Sequence, residues 1–438
     1  MNFLKKFFSL ILLSISFLLI VYIFYRSEIY HGGNKKDYYL IYYIIFSIFF
    51  FLSIITFFIN EKIKEYLIIL SLSSLIPLYS FEIYLTFIKE HPKVRLYETL
   101  TEKKWDSRNK YEIYEELKKK NNEEVFAVYP KAYQNRNFSM IPLSGISNAK
   151  TINCNENGYY SVYQSDRYGF NNPDNEWNKK EIEYFLVGDS FTHGACVNRP
   201  YDIASMLRSL SNRSVLNLGY GGNGPLMEYA TLREYLSSNV KKVLWIYYEG
   251  NDTWDLKDEM KEKILLSYLK SSSFTQNLKL KQKNINDLAI NEMEIQNLES
   301  KKNLKRKLKF KIKKFLKLYN TRVSIFPEQL EILTPPLPDP KLKEILLLAK
   351  NLVIENNAKL YFVYLPDYYS YKINFNSTNY KIVKNIVNEL NIPFIDIHKE
   401  VFIKEQNPLK FFPFELTGHY NIQGYEKVSE AIYKFTRE

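Results

Sequence analysis

The sequence predicts an α/β domain with a parallel sheet covered by helices on both faces, preceded by a helical region that crosses a membrane. Three long apolar runs lie within residues 1–90. After residue 180, short apolar runs of strand length alternate with helical patterns. Strands that are apolar on both faces and alternate with helices are typical of a parallel sheet between two helix layers.

The N-terminal region contains three candidate spanning helices. Residues 7–24 follow two lysines and, taken alone, are also typical of a signal peptide. Residues 38–59 and 66–88 are each about 20 residues long, the length at which a helix crosses the bilayer core. Pro77 and Glu82 weaken the third span, which leaves a re-entrant or interfacial helix as an alternative.

Membrane orientation is predicted from the basic residues that flank these runs. The lysines that would share the cytoplasmic side are Lys5, Lys6, Lys62 and Lys64. The opposite loop also carries basic residues, so the positive-inside bias is slight. On this bias we predict a multi-pass protein of the cell inner membrane, with everything after residue 90 on the extracytoplasmic, periplasmic side.

The remainder of the chain divides into a linker and one large domain. Residues 91–150 are polar and rich in Lys and Glu, which is typical of a linker with some helix. Residues 151–438 form the α/β domain, with a basic helical insertion at about 256–330. The predicted strands of this domain are residues 184–187, 215–218, 242–248, 359–365 and 393–397.

The insertion contains the most basic stretch of the chain. Residues 301–317 hold ten Lys or Arg. Its apolar residues at helical spacing are Leu304, Leu308, Ile312 and Phe315. Three interpretations stay open: a solvated helix packed on its own domain, a helix lying on anionic headgroups, or a ledge for an acidic polymer.

Composition excludes several classes of function. The formal net charge is +12, which we attribute to Lys-rich bias at surface positions more than to a polyanion site, and no nucleic-acid partner is expected. Two cysteines and five histidines, without zinc-type spacing, predict no metal and no cofactor.

Polar and glycine-rich motifs follow successive predicted strands. Gly-Asp-Ser-Phe-Thr-His-Gly at residues 188–194 places Ser190 at the carboxyl end of the first strand, where a tight turn exposes a nucleophile. Residues 217–225 form a glycine-rich loop after the second strand, and Asn251 follows the third. Near the C-terminus, His419 lies on a loop before an amphipathic helical pattern.

This ordered set resembles the SGNH (GDSL-like) hydrolase superfamily over residues 180–255 and 355–438. The resemblance implies a flavodoxin-like, three-layer SGNH hydrolase domain. It implies Ser190 as the nucleophile and His419 as the general base. Gly222 and Asn251 would donate to the oxyanion together with the Ser190 N–H.

The chain departs from the family pattern in two places. Glu249 stands where the third block usually has glycine. The last block usually has an Asp two or three residues before its histidine, but Thr417 and Leu416 occupy those positions. Glu415 is the nearest candidate acid, and a backbone carbonyl orienting the histidine of a Ser-His dyad is the alternative. His193 is interpreted as structural.

The expected activity is that of a serine esterase or O-acyltransferase. Membrane-anchored SGNH domains similar to the alginate-acetylation type favour O-acetylated cell-surface polysaccharide as substrate, and leave room for an acyl-transfer partner in the membrane. The alternatives are a lipid esterase and a non-catalytic glycan-binding or assembly protein on the same scaffold. An acylated glycan or lipid is the expected ligand in each case.

The two cysteines give a separate expectation. Cys154 lies in a loop upstream of the first strand, and Cys196 follows Ser190 by six residues. A disulfide between them would tie that loop to the nucleophile turn in an extracytoplasmic domain. Two buried, unpaired thiols are the alternative.

Overall fold

The structure, a computed structural model, describes residues 2–120, 123–134, 136, 138–325, 336–372 and 378–437. The side chain of Leu304 and residues 326–330 of the predicted insertion lie outside this part. The helices are α1 Asn2–Phe24, α2 Lys36–Ile55, α3 Glu61–Ile83, α4 Pro92–Thr101, α5 Lys110–Lys119, α6 Ser190–His193, α7 Ile203–Ser211, α8 Pro225–Tyr235, α9 Asp252–Glu259, α10 Lys263–Lys270, α11 Gln282–Leu316, α12 Tyr319–Ile325, α13 Lys341–Glu355, α14 Tyr369–Lys372, α15 Thr378–Glu389, α16 Ile397–Glu400 and α17 Ile422–Thr436.

The chain divides into two compact units. The first unit is Met1–Lys89 together with Lys307–Glu331, and the second unit is Glu90–Arg306 together with Ile332–Glu438. The continuous helix α11 therefore contributes to both units. The expected linker, residues 91–150, contains α4 and α5 and belongs to the second unit.

Three helices of the first unit are long and apolar enough to cross a membrane: Phe7–Tyr30, Lys36–Ile55 and Glu61–Ile88. The third of these is helical through Pro77, with a π-helical end at Tyr84–Ile88. Small polar side chains join the first two, because the Ser16 and Ser53 hydroxyls lie 3.2 Å apart.

The second unit is built on a parallel sheet of five strands in the described part of the chain. They are β4 Ile182–Gly188, β5 Val215–Asn217, β6 Val240–Tyr248, β7 Lys359–Leu365 and β8 Phe394–Asp396. Their order is β5-β4-β6-β7-β8, which is the flavodoxin-like order of a doubly wound sheet. The predicted α/β class and all five predicted strands are confirmed.

Alternate residues of the strands bury opposite faces of this sheet. Phe185, Trp245 and Phe362 face one core, which α8, α10, α13 and α15 cover. Leu186 and Ile246 face the other core, which α7 and α17 cover. The result is a three-layer arrangement whose strand ends all open at one edge.

A small sheet accompanies the large one. Its strands are β1 Val125–Phe126, β2 Lys150–Ile152 and β3 Val162–Gln164, in the order β1-β2-β3. The loop between β2 and β3 carries Cys154, which is bonded to Cys196 in the segment after β4.

Candidate active site

Ser190 lies in a tight turn at the carboxyl end of β4, an inner strand of the large sheet. It is the first residue of the short helix α6, and Asp189 caps that helix by accepting from the Phe191 N–H at 2.8 Å. Gly188 is required here because a Cβ would lie 2.7 Å from the carbonyl oxygen of Ile246. The turn leaves Ser190 partly exposed while its neighbours Asp189 and Phe191 are buried.

His419 meets Ser190 from the opposite end of the chain. Its Nε2 lies 2.9 Å from the Ser190 Oγ, which is hydrogen-bond distance for a nucleophile and its base. The Phe191 ring packs against the imidazole with ring centres 4.8 Å apart. The next residue, Tyr420, is buried and donates to the Pro366 carbonyl at 2.7 Å, which anchors the loop.

The other imidazole nitrogen of His419 faces Glu156. Nδ1 lies 3.3 Å from the Glu156 Oε1, and the backbone N–H of His419 donates to Oε2 at 2.6 Å. Burial raises the pKa of Glu156, but the hydrogen bonds and charge of His419 and the charge of Lys93 outweigh it, so the pKa is lowered. The carboxylate form is therefore favoured beside the imidazole.

A disulfide holds the loop that carries Glu156. Cys154 and Cys196 are bonded, which confirms the expected bridge. The Asn157 side chain adds a second tie by donating to the Cys196 carbonyl at 2.9 Å. The loop is thereby fixed to the segment that follows the nucleophile turn.

Glu415 does not occupy the position expected of the acid. Its carboxylate is exposed and accepts from Asn407 Nδ2 at 2.9 Å, while its backbone carbonyl accepts from Tyr368. The reason is local backbone geometry, since Phe414 and Glu415 both have positive φ and turn the chain away. Glu156 stands in its place on His419.

The predicted oxyanion donors lie at neighbouring strand ends. Gly222 follows β5 with φ +79°, a conformation that glycine adopts without strain, and Asn251 directly precedes α9, three residues after the end of β6. Asn251 Nδ2 donates to Asp255 at 2.9 Å and the amide also lies beside Asp189. Lys131 completes this network with its Nζ 2.9 Å from Asp255.

Buried carboxyl groups surround the base of the nucleophile turn. Burial, with the charge of Asp255, raises the pKa of Asp189 to about 6. Burial also raises the pKa of Glu228 and of Asp252 well above the ordinary range, and the charge of Asp189 adds to the rise in both. Burial therefore favours the neutral form of Glu228 and of Asp252, unlike that of Glu156.

His193 and Glu249 have structural surroundings. His193 is buried between the rings of Tyr163 and Tyr220, and burial lowers its pKa to about 3, which keeps the imidazole neutral. Glu249 is buried and accepts from the Asp367 N–H at 3.1 Å and from Ser370 at 2.7 Å. It thus ties the end of β6 to the loop after β7.

One group of described residues has metal-ligand atoms close together: Glu156, Cys196 and His419, within 4.8 Å of one another. The Cys196 sulfur is bonded to Cys154, so it is not the thiolate that binds metals. The two remaining side chains hydrogen-bond to each other. The arrangement matches a catalytic triad, and the expectation of no metal and no cofactor stays a prediction.

Comparison with known proteins gives structural likenesses only. No family model matches the chain, and no curated protein matches it. Among solved structures, it is similar to a protein assigned to the G-D-S-L family of lipolytic proteins from Desulfitobacterium hafniense, with 12% identity over 58% of this chain and 99% of that one, and a TM-score of 0.32. It is also similar to the protein YXIM from Bacillus subtilis, with 10% identity over 59% of this chain and 56% of that one, and a TM-score of 0.34. The α/β class stands on the strand order and cores of this chain itself.

Proposed function

We propose that this chain is a membrane-embedded serine esterase or O-acyltransferase in which Ser190 carries the acyl group. The observation that supports it is the continuous Ser190–His419–Glu156 hydrogen-bonded series. With Glu156 ionised, it accepts from Nδ1–H of His419, which leaves Nε2 free to accept the Ser190 proton.

The reaction follows from these proton positions. Ser190 Oγ attacks the ester carbonyl as its proton passes to His419 Nε2, and the developing oxyanion lies near the N–H groups of Ser190 and Gly222 and the Asn251 amide. The ester C–O bond then breaks, and the leaving alkoxide takes the proton from Nε2. Water or a second hydroxyl, deprotonated by the same histidine, then attacks the acyl carbon, and Ser190 Oγ takes that proton from Nε2 as its bond to the acyl carbon breaks.

O-Acetylated cell-surface polysaccharide is the proposed substrate. Half-buried rings of Tyr97, Trp105 and Phe414 pack together, with Tyr97 against Gly158 of the loop that carries Glu156 and Phe414 five residues before His419. Aromatic faces with a polar edge suit the apolar face of a sugar ring. A lipid ester is the alternative substrate, since the first unit would keep the enzyme at a bilayer.

The disulfide supports a compartment for this activity. Disulfides persist in oxidising compartments, so the Cys154–Cys196 bridge favours a second unit outside the cytoplasm. We therefore propose a periplasmic catalytic domain on a multi-pass anchor of the inner membrane, with an acyl donor or acyl-transfer partner in that membrane. A non-catalytic protein would not need a carboxylate beside His419, so the contact between Glu156 and His419 favours an enzyme.

A fluorophosphonate probe tests the nucleophile in the full chain. Wild type should become covalently labelled, because Ser190 Oγ displaces fluoride from phosphorus, and Ser190→Ala should lose both labelling and at least about 10³-fold of the acyl-transfer rate. Ser370→Ala is the matched control and should label normally. Equal labelling of Ser190→Ala and wild type would refute the proposal. The two candidate substrates are distinguished by product: acetate released from acetylated polysaccharide supports the glycan, and fatty acid released from phospholipid supports the lipid.

A further inference from the structure

The basic segment, defined here as residues 308–325, packs on the apolar helices of the first unit. The ring of Phe315 lies 5.3 Å from that of Tyr79 and 6.1 Å from that of Phe87. The Tyr79 hydroxyl also donates to the Leu316 carbonyl at 3.3 Å. A segment more than 200 residues away in sequence is thus part of the same unit as the candidate spans.

Glu82 makes this packing specific. The carboxylate of Glu82 is fully buried, although it lies in the third candidate span. It accepts from the Thr321 N–H at 2.7 Å and from the Asn320 backbone and side chain at 3.2 and 3.1 Å. Thr86 donates to it at 2.9 Å. Burying a carboxyl group in an apolar span costs free energy unless the group has such hydrogen-bond partners. The basic segment supplies these partners, so Glu82 is compatible with a third membrane span.

The contacts place the basic segment near one end of the spans. Lys317 Nζ lies 3.0 Å from the Tyr22 hydroxyl, and Tyr22 is about 12 Å of helix before the end of its span at Tyr30. Glu82 and Phe87 likewise lie in the last turns of the third span. If the three helices cross the membrane in succession, the first and third spans run in the same direction and α2 runs in the opposite one. Both sets of contacts therefore lie within about 12 Å of the same end of the spans.

The outward side of the basic segment is both charged and apolar. Lys309, Lys311 and Lys313 are exposed. Leu308, Ile312 and Leu316 follow at four-residue spacing and are 55%, 45% and 63% exposed. A helix with an exposed apolar stripe beside lysines is typical of one lying in a membrane interface.

We infer that the basic segment lies in the headgroup region and binds anionic phospholipid through these lysines. The inference depends on the proposed membrane embedding of the first unit and not on the acyl chemistry. A soluble polyanion would engage the lysines alone, whereas a bilayer surface engages both the lysines and the apolar stripe. The position on the spans favours lipid for the same reason.

Lipid enrichment of the full chain tests this inference. The chain is reconstituted in nanodiscs of one part phosphatidylglycerol to nine parts phosphatidylcholine, transferred to detergent, and its retained lipid is quantified by mass spectrometry. Wild type should retain phosphatidylglycerol preferentially, and the triple variant Lys309→Gln/Lys311→Gln/Lys313→Gln should reduce that preference at least about fivefold. Higher salt should weaken the preference of wild type.

Matched variants separate the alternatives. Lys179→Gln/Lys180→Gln/Lys399→Gln removes three exposed lysines of the second unit and should leave lipid preference unchanged. Equal phosphatidylglycerol preference in wild type and in the Lys309→Gln/Lys311→Gln/Lys313→Gln variant would overturn the inference. Heparin binding is measured on the same variants. If the triple variant lost heparin binding but kept its lipid preference, the lysines would bind an acidic polymer and the inference would also be overturned. If alkaline carbonate extracted wild type from membranes, the proposed membrane embedding would be refuted. Ser190→Ala should retain phosphatidylglycerol as wild type does, which would show that lipid binding does not depend on acyl transfer.

Discussion

Two regions of the second unit position the candidate triad in different ways. The nucleophile turn, residues 188–194, follows β4 directly, and its geometry comes from the strand, the cap at Asp189 and the close approach of Gly188 to β6. The acid loop, residues 153–158, follows the middle strand of the small sheet and is held by a disulfide and by its contacts with His419. The first position is determined by neighbouring residues, and the second by cross-links to distant ones.

This difference explains why the sequence predicted the position of Ser190 but not that of Glu156. A strand followed by a small-residue turn can be recognised within ten residues, because each part of the signal is local. The sequence pattern predicts an acid within a few residues of His419, whereas Glu156 is 263 residues away from it. The available signal was the cysteine pair: once Cys154 is joined to Cys196, the carboxyl group two residues after Cys154 must lie near the nucleophile turn.

Exchanging the acid tests this comparison with the largest expected effect. Glu156→Gln keeps the shape of the side chain but can present an amide N–H to Nδ1, which favours the wrong tautomer of His419. We expect kcat/KM on an acetyl ester to fall about 10²- to 10⁴-fold, with fluorophosphonate labelling slowed in parallel.

Glu415→Gln is the matched control for the acid. It alters a carboxylate that contacts Asn407 and is exposed, so activity should stay within about twofold of wild type. If Glu415→Gln instead reduced activity as much as Glu156→Gln, the arrangement of the loop before His419 in the working enzyme would differ from that described here.

Opening the disulfide should have a smaller effect and shows what the cross-link contributes. In Cys154→Ser/Cys196→Ser the acid loop keeps its hydrogen bonds to His419 but loses its covalent tie, so we expect about a tenfold loss of kcat/KM. The informative measurement is a double-mutant cycle with Glu156→Gln. If the bridge acts by positioning Glu156, the two losses should not multiply.

A bridge that only stabilises the fold gives a different outcome. The losses from Glu156→Gln and from bridge removal would then multiply in the combined variant, and thermal unfolding would account for the effect of the bridge. That result would remove the cross-link from the mechanism while leaving Glu156 in it.

The same contrast applies to the whole chain. Apolar runs between glycines and turns located the strands β4 to β8 within a few residues, because a buried parallel strand has a local pattern. The helical character of residues 301–317 was also predicted. The division of α11 between two units could not be predicted, because Phe315 and Thr321 contact residues 79–87, which are far away in sequence.

The two regions also differ in the ionisation of their carboxyl groups, which gives the prediction with the smallest effect on activity. Glu228 lies under the nucleophile turn and its pKa is raised well above 4.5, first by burial and then by the charges of Asp189 and Glu259. Near pH 4.5 the unfolded chain begins to release this proton while the folded chain keeps it. Stability therefore falls as pH rises, by about 1.4 kcal/mol per pH unit for one proton, until the pKa of the folded state is reached.

Glu228→Gln replaces the titrating carboxyl group with an amide that does not titrate, so the contribution of residue 228 to the pH dependence of stability is lost. We expect the variant to unfold at the same temperature as wild type near pH 4.5 or below, and at a progressively higher temperature than wild type as the pH rises above 4.5, in thermal melts of the full chain in detergent. Glu355→Gln, at an exposed position of α13, should leave the pH dependence unchanged. A pH dependence that is the same in Glu228→Gln as in wild type would show that folding does not raise the pKa of Glu228.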